Sequence, residues 1–125
     1  MVTAVPVSIA DRSAIGHTYA LVTVPEGDLL VVAFQGEYPP GPDGDGTACV
    51  MRGLVSLGRE VFDPKGIVLD LRGLDYRDGD LIETVLGEAT VGFVEPAVVG
   101  FLPMVDDCFD ALDPAVEYLR VQLAP

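Results

Sequence analysis

Two short apolar segments near the start of the chain are separated by a turn. Residues 18–24 and 29–36 are rich in β-branched, aromatic and leucine side chains, which favour strands. Residues 25–28 (PEGD) lie between them and contain the proline and glycine that tight turns use. The pattern therefore predicts an antiparallel β-hairpin. Residues 2–9 carry a looser alternation that includes Pro6, which fits only an edge strand.

A helical period of apolar residues follows a loop that is rich in proline and glycine. The apolar positions are Val50, Met51, Leu54, Leu57, Val61 and Phe62. Their spacing predicts a helix over residues 47–62, with Thr47 as the N-cap and residues 63–64 (DP) as the end. Gly53 and Gly58 weaken this helix by roughly 1 kcal/mol each, or they allow it to pack closely against a sheet.

Residues 66–74 (GIVLDLRGL) form a nearly continuous apolar run of strand length. Such a run is typical of a strand that is covered on both faces, as in a parallel sheet. The helix before it favours a right-handed β-α-β crossover from the hairpin. We therefore expect residues 67–71 in an interior strand, flanked by the helix over residues 47–62 and by a C-terminal helix.

Three further elements complete the predicted order. A short amphipathic helix spans residues 81–86, with Asp78 or Asp80 as its N-cap. A core strand covers residues 97–101, and the last helix begins at residues 113–114 (DP). The order strand, strand, helix, strand, helix, strand, helix predicts one α/β domain over all 125 residues. Its sheet is mixed, with an N-terminal hairpin and flanking helices.

The charge balance narrows the range of partners. Twenty acidic residues face seven basic ones, for a net charge of −13. Because binding of phosphate needs clustered Lys and Arg, nucleic acid and anionic membranes are disfavoured as partners. The field of such a chain favours a protein partner with a basic surface, although acidity also keeps an apolar chain soluble. No apolar run reaches the roughly 18 residues of a membrane span and no secretory signal pattern opens the chain, so we expect a cytoplasmic protein.

The cysteines, the histidine and the glycine-rich loop predict no cofactor and no metal site. Cys49 and Cys108 lie in apolar segments interpreted as helical, and we expect both to be reduced core thiols. His17 is the single imidazole, and no G-x-S-x-G motif accompanies it, so no catalytic triad is predicted. Residues 41–46 contain neither a Walker A motif nor a complete dinucleotide motif, and the glutamate that closes an EF-hand loop is missing.

Acidic residues gather at the end of the predicted strand over residues 66–74. Asp70 lies inside the strand, where an unpaired charge is costly, so it needs a partner such as a helix-end amide or Arg72, or it lies at a pocket. Sites in open α/β sheets form at the carboxyl ends of strands. Capping of the next helix uses one carboxylate, so the others are available to face a partner, to hold a divalent metal or to act as acid and base. The candidate site residues are Asp75, Asp78, Asp80 and Glu83.

Residues 65–86 (KGIVLDLRGLDYRDGDLIETVL) resemble the central segment of STAS domains, the fold of bacterial anti-sigma-factor antagonists. In that family a hydrophobic strand with an internal aspartate leads through a short loop into a helix. The hairpin before it and the C-terminal LDPAVEYL helix follow in the same order. The resemblance implies a STAS-like fold and a regulatory interaction domain. Where those antagonists carry a phosphorylatable Ser or Thr, this chain has the sequence RDGD without a hydroxyl, so Asp78 or Asp80 could at most mimic the charge of a phosphoryl group.

Two functions remain open at this point. The first is a non-enzymatic regulatory domain that binds a basic protein partner through the loop and helix around Asp75–Glu88, in partner switching or in toxin neutralisation. The second is a small carboxylate-based enzyme that uses a divalent metal near residues 70–80. The first is favoured because no nucleophile–base pair is recognisable. We predict no cofactor for it, and a homodimer is compatible with it.

Overall fold

A five-stranded mixed sheet organises the chain. The computed structural model describes residues 2–79 and 81–125. The strands are β1 (Gly16–Val24), β2 (Gly27–Glu37), β3 (Gly66–Asp75), β4 (Ala97–Val99) and β5 (Cys108–Phe109). The helices are α1 (Asp45–Phe62), α2 (Ile82–Glu88) and α3 (Leu112–Leu123), with short 3-10 turns at Ile9–Asp11 and Gly41–Gly44. The sheet order is β1-β2-β3-β4-β5, with β1 antiparallel to β2 and the remaining pairs parallel. The predicted α/β class with a mixed sheet is confirmed.

The N-terminal hairpin forms as predicted. Val24 pairs with Gly27 across a two-residue turn, and the register continues without interruption to the pair formed by Gly16 and Gln35. The side chain of Glu26 in the turn accepts a hydrogen bond from Arg120 Nε at 2.5 Å. This contact holds the pKa of the Glu26 carboxyl below its ordinary value and ties the hairpin turn to α3.

Strand β3 lies at the centre of the sheet and is covered on both faces. Leu69 points into a core that α1 and α2 close, whereas Val68 points into a second core that α3 closes. Both side chains are fully buried. Residues 67–71 therefore occupy an interior strand between helices, as the continuous apolar run predicted.

Helix α1 begins two residues earlier than predicted. Thr47 is not its N-cap; Gly44 occupies that position, and the Thr47 hydroxyl is buried against Ser13 Oγ at 3.0 Å. At the other end, Asp63 adopts a left-handed conformation (φ 45°) and its N–H donates to the Arg59 carbonyl. The predicted end of the helix is thus confirmed, because Asp63 and Pro64 cannot continue it.

Several expectations from the sequence are corrected by the structure. Residues 2–8 form no strand and are exposed. The fourth strand stops at Val99, and Phe101, expected in its core, is 74 % exposed. Cys49 is an exposed residue of α1. Cys108 lies in β5, where it is partly buried, and not in a helix.

In the described residues no helix is long and apolar enough to cross a membrane.

Candidate functional site

The carboxyl ends of β2 and β3 lie side by side and carry exposed carboxylates. Glu37 and Asp75, the last residues of the two strands, are paired in register. The next residue, Tyr38, donates its N–H to the Asp75 carbonyl at 2.9 Å, which holds the two strand ends together. The register therefore brings two exposed carboxylates to the same edge of the sheet.

The loops that leave these strands add further carboxylates to the same edge. Asp43 lies in the 3-10 turn after β2, and Asp45 begins α1. Asp78 lies in the loop after β3, and Arg77 is the single basic residue between β3 and α2. We call the exposed carboxylates of the strand ends and their loops the acidic rim: Glu37, Asp43, Asp45, Asp75 and Asp78.

Asp78 has a structural contact that the sequence did not predict. Its Oδ1 accepts a hydrogen bond from the Gly41 N–H at 2.6 Å, so it joins the β3–α2 loop to the β2–α1 loop. It does not cap α2, because Leu81 occupies the N-cap position of that helix without a side-chain cap bond. Asp78 and Asp75 are exposed, as expected, and Glu83 is an exposed residue in the first turn of α2. Asp80, the fourth predicted site residue, lies outside the described residues.

An aromatic pair, of which Tyr38 is buried and Tyr76 is half-buried, lies at the start of the loops that carry the acidic rim. The ring of Tyr38 meets that of Tyr76 edge-on, with centroids 5.0 Å apart, and Tyr76 donates its hydroxyl to the Gly79 carbonyl at 2.6 Å. Gly79 has φ +127°, and a Cβ there would lie 3.0 Å from the Tyr38 ring, so only glycine fits. Tyr38 is 1 % exposed, and its hydroxyl has no hydrogen-bond partner in the described structure. Burial raises the pKa of Tyr38, and neighbouring Tyr76 and Asp45 add to this rise.

Asp70 has the partner that its position in the apolar strand required. Arg72 Nε and Nη2 donate to Asp70 Oδ1 and Oδ2 at 3.0 and 2.8 Å, and the Arg72 N–H donates to Oδ1 at 3.2 Å. The hydrogen bonds from Arg72 hold the pKa of the Asp70 carboxyl below its ordinary value. Since this charge is already compensated, Asp70 does not belong to the acidic rim.

Most of the arginines are engaged away from the acidic rim. Arg59 binds the carbonyl and the carboxylate of Glu88, and Arg52 donates to Thr84 Oγ1 at 3.1 Å, so both fasten α2 to α1. Arg120 is held by Glu26 and Glu117, as Arg72 is held by Asp70. Arg77 lies within the loop of the acidic rim, so the five rim carboxylates are only partly balanced by positive charge.

Neither the metal-binding nor the nucleophilic alternative gains support from the geometry of the described residues. Across residues 2–79 and 81–125, no three His, Cys, Asp or Glu side chains are grouped so that they could hold a metal ion. His17 is exposed on β1, where its ring meets Tyr19 at a centroid distance of 5.3 Å. A cavity of about 410 Å³ lies elsewhere, between the end of α2 and α3, and its lining includes no residue of the acidic rim.

No protein-family model matches the sequence, and no curated protein matches it either. The resemblance of residues 65–86 to STAS domains therefore stays a prediction.

The contact between the two loops leads to a testable expectation. Replacement Asp78→Ala removes the acceptor of the Gly41 N–H and should lower the free energy of unfolding by about 0.5–1.5 kcal/mol. Replacement Asp78→Asn keeps an oxygen acceptor and removes the charge, so it should cost less than the alanine variant. Urea denaturation of both variants beside the parent protein measures the difference. Equal stability of all three proteins would mean that the hydrogen bond does not form in solution.

Proposed function

We propose that this protein is a non-enzymatic regulatory interaction domain, which binds a basic surface of a partner protein through its acidic rim and the adjoining start of α2. The observation that carries the proposal is the register of Glu37 with Asp75, which brings two exposed carboxylates together at the end of the parallel strands. Cationic side chains of a partner are attracted to such a group of negative charges. The loop-helix residues Asp75, Asp78, Asp80 and Glu83 remain the proposed contact residues.

Exposed apolar side chains after β4 and before α2 fit the same role. Phe101 follows β4 at the carboxyl edge of the sheet and is mostly exposed, next to Gly100, which packs against the backbone of Leu71 and Arg72. Leu81 precedes α2 and is also exposed. Protein interfaces combine a few buried aromatic or aliphatic anchors with a charged rim that directs the encounter. The sequence interpretation did not identify Phe101 as exposed, because it placed this residue in the core strand.

Removal of rim charges should slow association with the partner without loss of the fold. The rim variant, Asp75→Asn/Glu83→Gln, removes one charge of the acidic rim and one from the adjoining start of α2. Neither side chain makes a hydrogen bond to the backbone of the described residues. The matched control, Asp106→Asn/Asp107→Asn, removes two exposed charges from the loop before β5. Parallel affinity capture by the parent and both variants, read out by quantitative mass spectrometry, identifies the partner as a basic protein that the rim variant alone fails to retain.

Stopped-flow mixing with the captured partner then measures the association rate constant. At low ionic strength the rim variant should associate about 10-fold more slowly than the parent, and its rate should depend less on salt. The control variant should behave like the parent. If no protein distinguishes the rim variant from the control, the interaction proposal is wrong.

A melting series separates this function from the carboxylate enzyme. A metal that binds only the folded state raises the melting temperature by mass action. Under the interaction proposal, Mg²⁺, Mn²⁺ and Ca²⁺ leave the melting temperature of the parent and of the rim variant equally unchanged. A rise in the parent that Asp75→Asn and Asp78→Asn abolish would instead support the metal-dependent enzyme.

A further inference from the structure

Strand β1 forms an open edge of the sheet that lacks the usual protection. It pairs with β2 on one side, and no strand of the described residues pairs with its other side. Its nine residues (GHTYALVTV) include no proline, lysine, arginine or carboxylate, and its register with β2 contains no bulge. Sheet edges that stay free in monomers are usually shortened, bulged or charged. The sequence of β1 therefore suits a strand that pairs with another strand.

The flank of α1 that overhangs β1 is apolar as well. The Tyr19 hydroxyl donates to the Leu54 carbonyl and the Tyr19 ring lies 5.7 Å from that of Phe62, so this side of α1 covers β1. The opposite side of α1 carries the arginines that bind α2. Leu57 and Val61 are 54 % and 62 % exposed on the β1 side. We call the apolar residues on this side of α1 the stripe, and their spacing matches the a and d positions of a heptad: Val50, Leu54, Leu57 and Val61.

We propose that β1 and this stripe of α1 form the interface of a homodimer, in which two β1 strands pair antiparallel and join two sheets into one of ten strands. Ala20 is the central residue of β1 and would lie at the two-fold axis. Antiparallel pairing about Ala20 places Tyr19 opposite Leu21 of the second copy on the α1 side of the sheet. Alanine at the axis leaves room for the close approach of the two strands.

The distribution of charge favours a second copy as the occupant of this edge. Each chain carries a net charge of −13, so two copies repel each other wherever their acidic surfaces meet. The edge strand and the apolar stripe carry no charged residue, and the strand is complementary to itself by symmetry. Neither the strand nor the stripe itself carries a carboxylate that would attract a basic partner. The acidic rim stays outside the interface, so the dimer does not depend on the function proposed above.

Sedimentation equilibrium over a series of protein concentrations tests the dimer. The parent protein should reach twice the chain mass of 13.2 kDa. Variants Leu21→Glu and Val61→Glu each place an unpaired charge in the interface and should raise the dimer dissociation constant by about 10-fold or more. Val121→Glu is the matched control, because Val121 is a helical valine of α3 with 69 % exposure, outside the interface. The control should dimerise like the parent, and far-UV circular dichroism should show all variants folded.

Three results would overturn the proposal. The parent protein could sediment at the mass of one chain at every concentration. Both interface variants could dimerise as tightly as the control. Alternatively, deletion of residues 2–8 could abolish a dimer that both variants retain, which would assign the edge of β1 to the exposed N-terminal segment of another copy.

Discussion

Replacement Leu69→Ala is expected to lower the free energy of unfolding by about 2–5 kcal/mol. Leu69 is fully buried in the middle of β3, in the core that α1 and α2 close over the sheet. Truncation removes apolar contacts and leaves a cavity that a central strand between two packed layers cannot collapse. Guanidinium denaturation measures the loss, and Val121→Ala on the exposed side of α3 serves as the control, with an expected change within about 0.5 kcal/mol.

The size of this loss distinguishes a covered central strand from an exposed one. A change below about 0.5 kcal/mol for Leu69→Ala would contradict the burial of β3 on the α1 side, since surface substitutions have effects of that size. Both variants should be measured at one protein concentration, because association of folded copies raises the apparent stability.

Two glycines of α1 should respond to alanine with opposite signs. A Cβ at Gly58 would lie 2.5 Å from the Tyr19 ring and 2.9 Å from Leu30, so Gly58→Ala should cost about 1–3 kcal/mol through overpacking. A Cβ at Gly53 would meet nothing within 4 Å, so Gly53→Ala should gain up to about 1 kcal/mol from helix propensity. Both variants make the same substitution in the same helix, and they differ only in the atoms that the added Cβ would meet.

Equilibrium denaturation of the two glycine variants checks the close approach of α1 to the sheet. A stabilised Gly58→Ala variant would mean that α1 lies farther from β1 and β2 than the structure places it. The sequence left both explanations of the glycines open. The structure assigns close packing to Gly58 and simple helix weakening to Gly53.

The elements that the sequence predicted well have a strong local signal. The hairpin joins two β-rich segments through a short turn, and β3 is apolar on both faces because both faces are buried. Their identity is thus encoded within about ten residues of chain. Strand β5 has only two residues and pairs with β4. Two residues are too few to show an alternation of apolar and polar positions, so the sequence did not predict this strand. Phe101 was misplaced for a related reason: Gly100 with φ +110° ends β4, and a local pattern of apolar residues does not register that conformation.

The candidate site, like the fold, was predicted only where its signal is local in the sequence. The carboxylates after β3 and the exposure of Asp75 and Asp78 followed from their position beyond an apolar strand. The pairing of Glu37 with Asp75 and the bond from Gly41 to Asp78 join residues that are more than thirty positions apart. Such contacts depend on the register between strands, which residue types alone do not reveal.

The order of strands in the sheet has a consequence for synthesis of the chain on the ribosome. Each strand is paired with the strand made just before it, so every new strand meets a template that has already emerged. The face of the sheet that carries Val31, Val68 and Val99 is nevertheless covered by α3, which is translated after all five strands. Until α3 leaves the ribosome, this apolar face of the sheet stays uncovered in the nascent chain, and chaperones can bind to it.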